Sequence, residues 1–315
     1  RGLRLVAAMR PASSFWLKLE IADWATSLLE MPSVDDHPLG PHVAGVAANG
    51  WWQRADTSRA LAALRHAESM AAFDPRTPHP NIMRGVMKRL LEGDQAGANA
   101  TLDAIEATGV GSEIEVAWQR ITVNFGAHCD QAVATLTQLI DDTRSDLARA
   151  QATGRIATAR LAAGDPGAAV ELCREAIRAA NAIGARYFAH LYLLELGLGL
   201  AATGDLTPAD LDVFREGLRG QRDAGQIGDQ WLTLVGIAAA THRVANADLA
   251  ADVYVGLADS SNWAASGLNT VLLPFLPAHG AKPPPPGPQA LDTLVDRALT
   301  TLNELIDESH PAARR

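Results

Sequence analysis

Sulfur and aromatic rings are scarce in this chain, and long apolar runs are absent. Two cysteines, Cys129 and Cys173, stand among 315 residues. That is too few for a disulfide framework, and a free thiol in or beside a helix reads as a small buried hydrophobe. No apolar stretch reaches the roughly 18 residues needed to cross a bilayer, and the N-terminus lacks the ordered basic, apolar and cleavage regions of a secretory signal. A cytoplasmic chain without membrane contact is expected. Positive charge is also short: the formal net charge is −9 and the pI about 5.5. A phosphate-backbone binder carries a basic stripe, so no direct nucleic-acid partner is expected. The local basic sets Arg84, Lys88, Arg89 and Arg215, Arg219, Arg222 lie along single helix sides and read as solvated faces.

Catalytic signatures are missing as well. The sequence has no Gly-x-x-x-x-Gly-Lys-Ser/Thr loop, no His-Glu-x-x-His, no Gly-x-Ser-x-Gly and no paired Cys-x-x-Cys. His128-Cys129-Asp130 is three adjacent residues at one corner, a poor arrangement for converging on one ion. No catalytic residue, cofactor site or metal site is predicted. The alternative from another class is an α-helical enzyme with a pocket near His190 and His242, each inside a predicted helix.

What the chain does have is a period. Asp23, Asp56, Asp94, Asp130, Asp165, Asp205 and Asp248 recur at intervals of 33 to 43 residues, the range of helical repeats. Three of them follow glycine directly, as Gly93-Asp94, Gly164-Asp165 and Gly204-Asp205. Glycine ends one helix in the left-handed conformation, and the next Asp caps the following helix by accepting from its free N–H groups. At the sixth corner Thr207-Pro208 with Asp210 offers the same cap slightly later. Ala-rich and Leu-rich composition, 48% hydrophobic and 5% aromatic, with no sustained β-branched alternation, makes the chain all-α.

From Asp165, the positions +4, +8, +11 and +12 are Ala169, Cys173, Ala176 and Ile177, one small and apolar helical stripe. This resembles the second helix of a tetratricopeptide (TPR) repeat. Alanine recurs at +4 as Ala60, Ala98, Ala134 and Ala209, while the end corners carry Ser27 and Asp252. Close helix contacts are therefore expected at Ala60, Ala98, Ala134, Ala169 and Ala209. In the first helices, Leu196-Gly197 with Leu200, and Trp51 before Asp56, match the repeat's Leu-Gly-aromatic spacing in part. The fold expected is a TPR-like α-solenoid of about seven helix-turn-helix repeats over residues 1–280, a Pro-rich linker over 281–288 and an amphipathic C-terminal helix over 289–309. That helix carries Leu291, Leu294, Val295, Ala298, Leu299, Leu302, Leu305 and Ile306 on one face. Such a face must dock, either as a cap on the last repeat or as a dimerisation helix. At the other end, Leu3, Leu5, Val6, Ala7 and Met9 form an apolar face and Arg1 is not an initiator Met. A longer parent with an upstream domain over that face is expected.

The resemblance narrows with particular segments. Phe214 to Leu257, with Gln230-Trp231-Leu232-Thr233-Leu234 opening a helix and Ala250-Ala251 through Gly256-Leu257 closing the unit, resembles the late repeats in the helical arms of large actinobacterial signalling regulators. Arg1-Gly2-Leu3-Arg4-Leu5, His37-Pro38-Leu39, Val46-Ala47-Ala48 and Trp51-Trp52-Gln53-Arg54-Ala55-Asp56 are similar to the early ones. Those proteins join an AAA/STAND-type ATPase to a TPR-like arm, with a nucleotidyl cyclase or a LuxR-type or SARP-type DNA-binding domain. The resemblance covers residues 1 to about 260 and implies a non-catalytic, effector-sensing and protein-interaction arm of a signalling or transcriptional regulator. Any ATPase or cyclase residues would lie outside this sequence. A free-standing TPR-type scaffold is the alternative. The partner would be a peptide, protein or small effector in a concave groove, and the recognition residues expected are Trp52, Trp118, Arg120, Tyr187 and Trp231, aromatic or fork-like groups in first helices.

Overall fold

The computed structural model of the chain describes residues 1–9, 19–74, 82, 84–86, 89, 93–109, 113–124, 129–242, 247–259 and 291–309. Fifteen α-helices and no strand occur among them. In chain order they are α1 (Gly2–Ala8), α2 (Glu20–Leu29), α3 (Gly40–Gln53), α4 (Thr57–Ser69), α5 (Gln95–Glu106), α6 (Glu113–Asn124), α7 (Asp130–Asp142) and α8 (Asp146–Ala162). There follow α9 (Pro166–Ala182), α10 (Arg186–Leu191), α11 (Leu193–Thr203), α12 (Pro208–Asp223), α13 (Ile227–Thr241), α14 (Ala247–Asp259) and α15 (Leu291–Ser309). No described helix is long and apolar enough to cross a membrane.

Sequence neighbours pack in pairs: α3 on α4, α6 on α7, α8 on α9, α12 on α13. The corners show why. Asp56, Asp94 and Asp165 accept from the backbone N–H of Arg59, Gly97 and Ala168, opening α4, α5 and α9. Each caps a free donor of the first turn, worth about 1 kcal/mol. Gly164 and Gly204 close the preceding helices at φ 80° and 81°, a conformation that costs a residue with Cβ about 1–2 kcal/mol. At the first of these corners Ala55 takes that conformation itself, at φ 58°. Its buried methyl offsets part of the strain.

Two expected corners turn out differently, and the sixth is capped by the later residue its sequence offered. Asp23 lies inside α2 and caps nothing; it makes a two-pronged ion pair with Arg54, at 2.6 and 2.9 Å, tying α2 to the end of α3. Asp130 is the first residue of α7 and its side chain does not cap it. At the sixth corner the cap is Thr207, in a capping box with Asp210. Arg174 of α9 then clasps the Asp210 carboxylate at 3.0 and 2.7 Å. Burial works against the charge on Asp210, but Arg174 and Thr207 outweigh it and hold the carboxyl below its usual range.

These shifts move the stripe of small residues. Ala60, Ala98 and Ala169 are fully buried, as expected. Ala134 and Ala209 are exposed, because the inward positions of α7 are Ala132 and Leu136 and that of α12 is Leu211, each two residues out of the aspartate register.

The helices fall into two kinds. Helices α4, α7 and α9 each bury one stripe, whereas α3, α8 and α13 are buried almost all round. A helix apolar on every side belongs in an interior, and α3 also touches α13 across nearly 200 residues of chain. These three helices therefore lie in the interior of the molecule. Glycine makes a close crossing possible: a Cβ on Gly197 of α11 would stand 2.2 Å from the carbonyl oxygen of Gly236 in α13.

The chain ends differ from expectation in one case. Val6 of α1 is buried against α2 and α3, with Leu3 and Met9 half-buried in the same cluster, so the apolar face expected to need an upstream domain is covered by the chain itself. Of the large hydrophobic side chains on that helix, Leu5 remains exposed. At the far end, α15 lies across α12, α13 and α14, burying Leu294, Val295, Ala298 and Leu302. Arg222–Asp296 at 2.8 Å and Arg297–Asp252 fasten it. The Pro-rich segment 281–288 and the apolar stretch 263–276 lie outside the described residues.

Candidate functional site

Polar groups are expensive on helices buried all round, so those that occur there mark the place to look. The strongest concentration surrounds Arg155 in the middle of α8. Its residue is 5% exposed and Glu195 of α11 is 8% exposed. The two face each other loosely, Nη1 to Oε1 at 3.9 Å. Arg155 Nε and Glu195 Oε2 have no hydrogen-bond partner among the described residues; Glu195 Oε1 accepts from Thr158 at 3.0 Å.

Aromatic rings enclose the guanidinium. Its central carbon lies 4.1 Å from the ring centre of Trp118 on α6 and 5.6 Å from that of Tyr192. Tyr192 donates to the backbone oxygen of Gln151 at 3.0 Å, and its ring fits against α8 because residue 154 is glycine; a Cβ there would meet the ring at 2.1 Å. Burial pushes the Tyr192 phenol well up, with Arg155 pulling it back. Tyr187, on α10, is raised by burial and then by Asp229, and Arg155 again opposes the shift. Asp229 of α13 is itself pushed up to about 7 by burial, with Gln226 donating to it at 2.8 Å. Gln230 Oε1 and Thr233 Oγ1 on the same helix, and both side-chain polar atoms of Gln53 on α3, are buried without hydrogen-bond partners among the described residues.

Magnitudes separate this centre from ordinary ion pairs. Arg174 is held by Asp210, Glu171 and a backbone oxygen, and Arg120 by Asp103 and Glu106 at 2.6 Å each. Arg155 has a stack on Trp118, worth about 2 kcal/mol when desolvated, against a burial penalty of several kcal/mol per ion. The stack alone does not offset the penalty. A group that supplies acceptors to Arg155 and donors to Glu195 would.

Of the residues expected to line a groove, Trp118 stacks on Arg155 and Tyr187 lies within its field. Trp52 is half-buried between two core clusters. Arg120 joins α6 to α5 through its two carboxylates. Trp231 is 5% exposed and packs on Gly256 of α14, a core position because α13 is covered by α14 and α15. Arg155, Glu195 and Tyr192 were not singled out from the sequence. The signal for Arg155 is the surrounding run Ala150, Ala152, Thr153, Gly154, Ala157, Ala159, small on every side of the helix.

His190 is wedged against Gly217 and Gly220 of α12. Burial, then Arg186, lowers it to about 4, so it is neutral at pH 7 and serves packing. Cys129 is buried, its Sγ 3.7 Å from the backbone oxygen of Arg120; burial pushes both Cys129 and Cys173 up, away from thiolate reactivity. His128 lies outside the described residues. Among the described residues no group of three or more His, Cys, Asp and Glu could hold a metal. A groove of about 570 Å³ between α6 and α7, lined by Glu113, Ile114, Gln131, Thr135, Gln138 and Asp142 among others, is open to solvent. No family model matches the chain, and no curated protein matches it.

Proposed function

We propose that the chain is a TPR-like α-solenoid that acts as the non-catalytic sensing and interaction arm of a multidomain cytoplasmic regulator. The observation that carries this reading is the Arg155 centre: two opposite charges buried on α8 and α11, with hydrogen-bonding capacity unspent and aromatic walls beside them. Burial holds the neighbouring Cys173 thiol and the Tyr187 and Tyr192 phenols protonated, which suits a centre that recognises a ligand. The capped corners at Asp56, Asp94, Asp165 and Thr207, and the alternation of interior and one-sided helices, support the repeat architecture.

Ligand titration tests the reading. Panels of capped peptides, free amino acids, sugars and nucleotides are added to the purified chain, with thermal midpoint and tryptophan fluorescence as readouts. At least one class raises the midpoint saturably, and Trp118→Leu removes the response while the chain stays folded. A folded chain that answers none of the panels would refute it.

A further inference from the structure

We propose that the Arg155–Glu195 pair is a recognition site for a small zwitterion of the α-amino-acid class, its carboxylate on Arg155 and its ammonium on Glu195. The proposal rests on the interaction-arm reading above and names the ligand class for that site.

The geometry narrows the choice by charge. Arg155 is nine-tenths buried, holds no acceptor on Nε and meets Glu195 only at 3.9 Å, well beyond the 2.7–2.9 Å of a charge-assisted bond. Glu195 spends one oxygen on Thr158 and leaves Oε2 without a partner. A simple anion would suit Arg155 but face the Glu195 carboxylate a few ångströms away. A simple cation would suit Glu195 but face the guanidinium. A ligand carrying both charges on adjoining atoms satisfies both at once and leaves the site neutral, which an interior of low dielectric demands. Neutral amides offer the same donor and acceptor, but with bonds roughly half as strong.

Of the residues that touch the pair, Trp118 and Thr158 are half-buried and Tyr192 is fully buried. The ligand's side chain would run along Trp118, whose face selects an apolar or aromatic one. Arg174 shows what the pair would look like as a structural tie, since its carboxylate partner sits at 2.7 Å.

The test uses the full chain and each of the twenty L-amino acids as probe, followed by thermal midpoint and tryptophan fluorescence. N-acetyl and methyl-ester forms, acetate, inorganic phosphate and a capped dipeptide serve as comparators. At least one amino acid with an apolar or aromatic side chain should bind saturably. Its N-acetyl and ester forms should bind at least about tenfold more weakly, the ratio for one lost charge-assisted contact. Glu195→Gln, nearly isosteric, should weaken the free amino acid by a similar factor and leave the N-acetyl form unchanged or improved. Arg155→Lys should weaken the ester least. If Arg155→Lys fails to fold, Glu195→Gln decides alone. Silence of all amino acids overturns the proposal, as does equal binding of free and N-acetylated forms. Acetate or phosphate acting as well as the amino acid would mark a plain anion site and overturn it too. Sugars, nucleotides or capped peptides that bind while amino acids do not would leave the interaction arm standing and remove the zwitterion. Silence of every class removes both.

Discussion

Replacing Gly197 by alanine tests the interior packing where the backbones of two helices cross closely. The added Cβ would lie 2.2 Å from the Gly236 carbonyl oxygen and 2.4 Å from its Cα. Both are backbone atoms of α13, so no side chain can rotate away, and the helices must move apart. Leu196 and Leu200 of α11 and Leu234 and Ile237 of α13 are all buried nearby in the same cluster and lose contact when they do. Overpacking of this kind costs up to about 3 kcal/mol, while alanine returns about 1 kcal/mol of helix propensity. The expected net loss is about 2 kcal/mol. With an m-value of about 3 kcal/mol/M in urea, the midpoint should fall by about 0.7 M, followed by far-UV circular dichroism. Gly167→Ala is the control: nothing stands within 4 Å of its added Cβ, and it lies exposed in the first turn of α9, so it should stabilise by at most about 1 kcal/mol. If Gly197→Ala matches the wild type or exceeds it, α11 and α13 do not cross on these glycines.

Thr207→Ala should cost about 1 kcal/mol through loss of the capping box, and Asp205→Ala less than about 0.5 kcal/mol; the reverse order in urea midpoints would return the corner to Asp205. His190 titrates at about 4 when folded, below its unfolded value of about 6.5, so its contribution is fully present above that value and is lost as pH falls from about 6.5 through 4. Asp229, raised to about 7, works oppositely: its contribution is present below about 4 and lost as pH rises through 7. Asp229→Asn should therefore gain stability relative to the wild type from pH 5 to pH 8, and parallel pH profiles would refute the assignment. Leu302→Ala, in the fully buried face of α15, should cost about 2–5 kcal/mol and hasten proteolysis of that helix; unchanged protection would mean that the helix does not dock. Replacing both Arg155 and Glu195 by Met should leave the ligand-free chain as stable as the wild type or up to about 4 kcal/mol more so, whereas Glu195→Met alone should cost about 3–5 kcal/mol. A double variant less stable than either single one would make the pair structural.

The all-helical fold is legible because its local signals are chemically redundant. Gly164-Asp165-Pro166 holds a helix stop, a cap and a first-turn proline in three adjacent residues, and the helix starts at Pro166. The face of α15 is likewise readable, since Leu294, Val295, Ala298, Leu299 and Leu302 obey one period without interruption. Asp23 is misread because an aspartate can serve as well in an ion pair as at a cap. Its partner Arg54 lies 31 residues away, and only tertiary packing joins them. Ala134 and Ala209 fail for a related reason. Counting from the aspartate assumes that it is the cap, and at α7 and α12 it is not.

The site is harder to see than the fold, and the difficulty is one of context. Arg155 sits in Gln151-Ala152-Thr153-Gly154-Arg155-Ile156, and an arginine there reads as one more solvated charge beside Arg149 and Arg160, of which Arg149 is indeed exposed. What distinguishes it is the helix around it. When six neighbours spread over all faces are Ala, Gly or Thr, the helix has no outer side on which to place a charge, and its arginine must point into the molecule. Glu195 carries the same information in Leu193-Leu194-Glu195-Leu196-Gly197, a lone acid in an apolar run. Each residue alone has an ordinary explanation as a tolerated surface charge. Only their pairing across 40 positions, on two helices without an outer face, turns two ordinary residues into a buried dipole with Arg155 Nε and Glu195 Oε2 left without partners, and sequence periodicity cannot supply that pairing because it reports which face is apolar and not which polar groups share an interior.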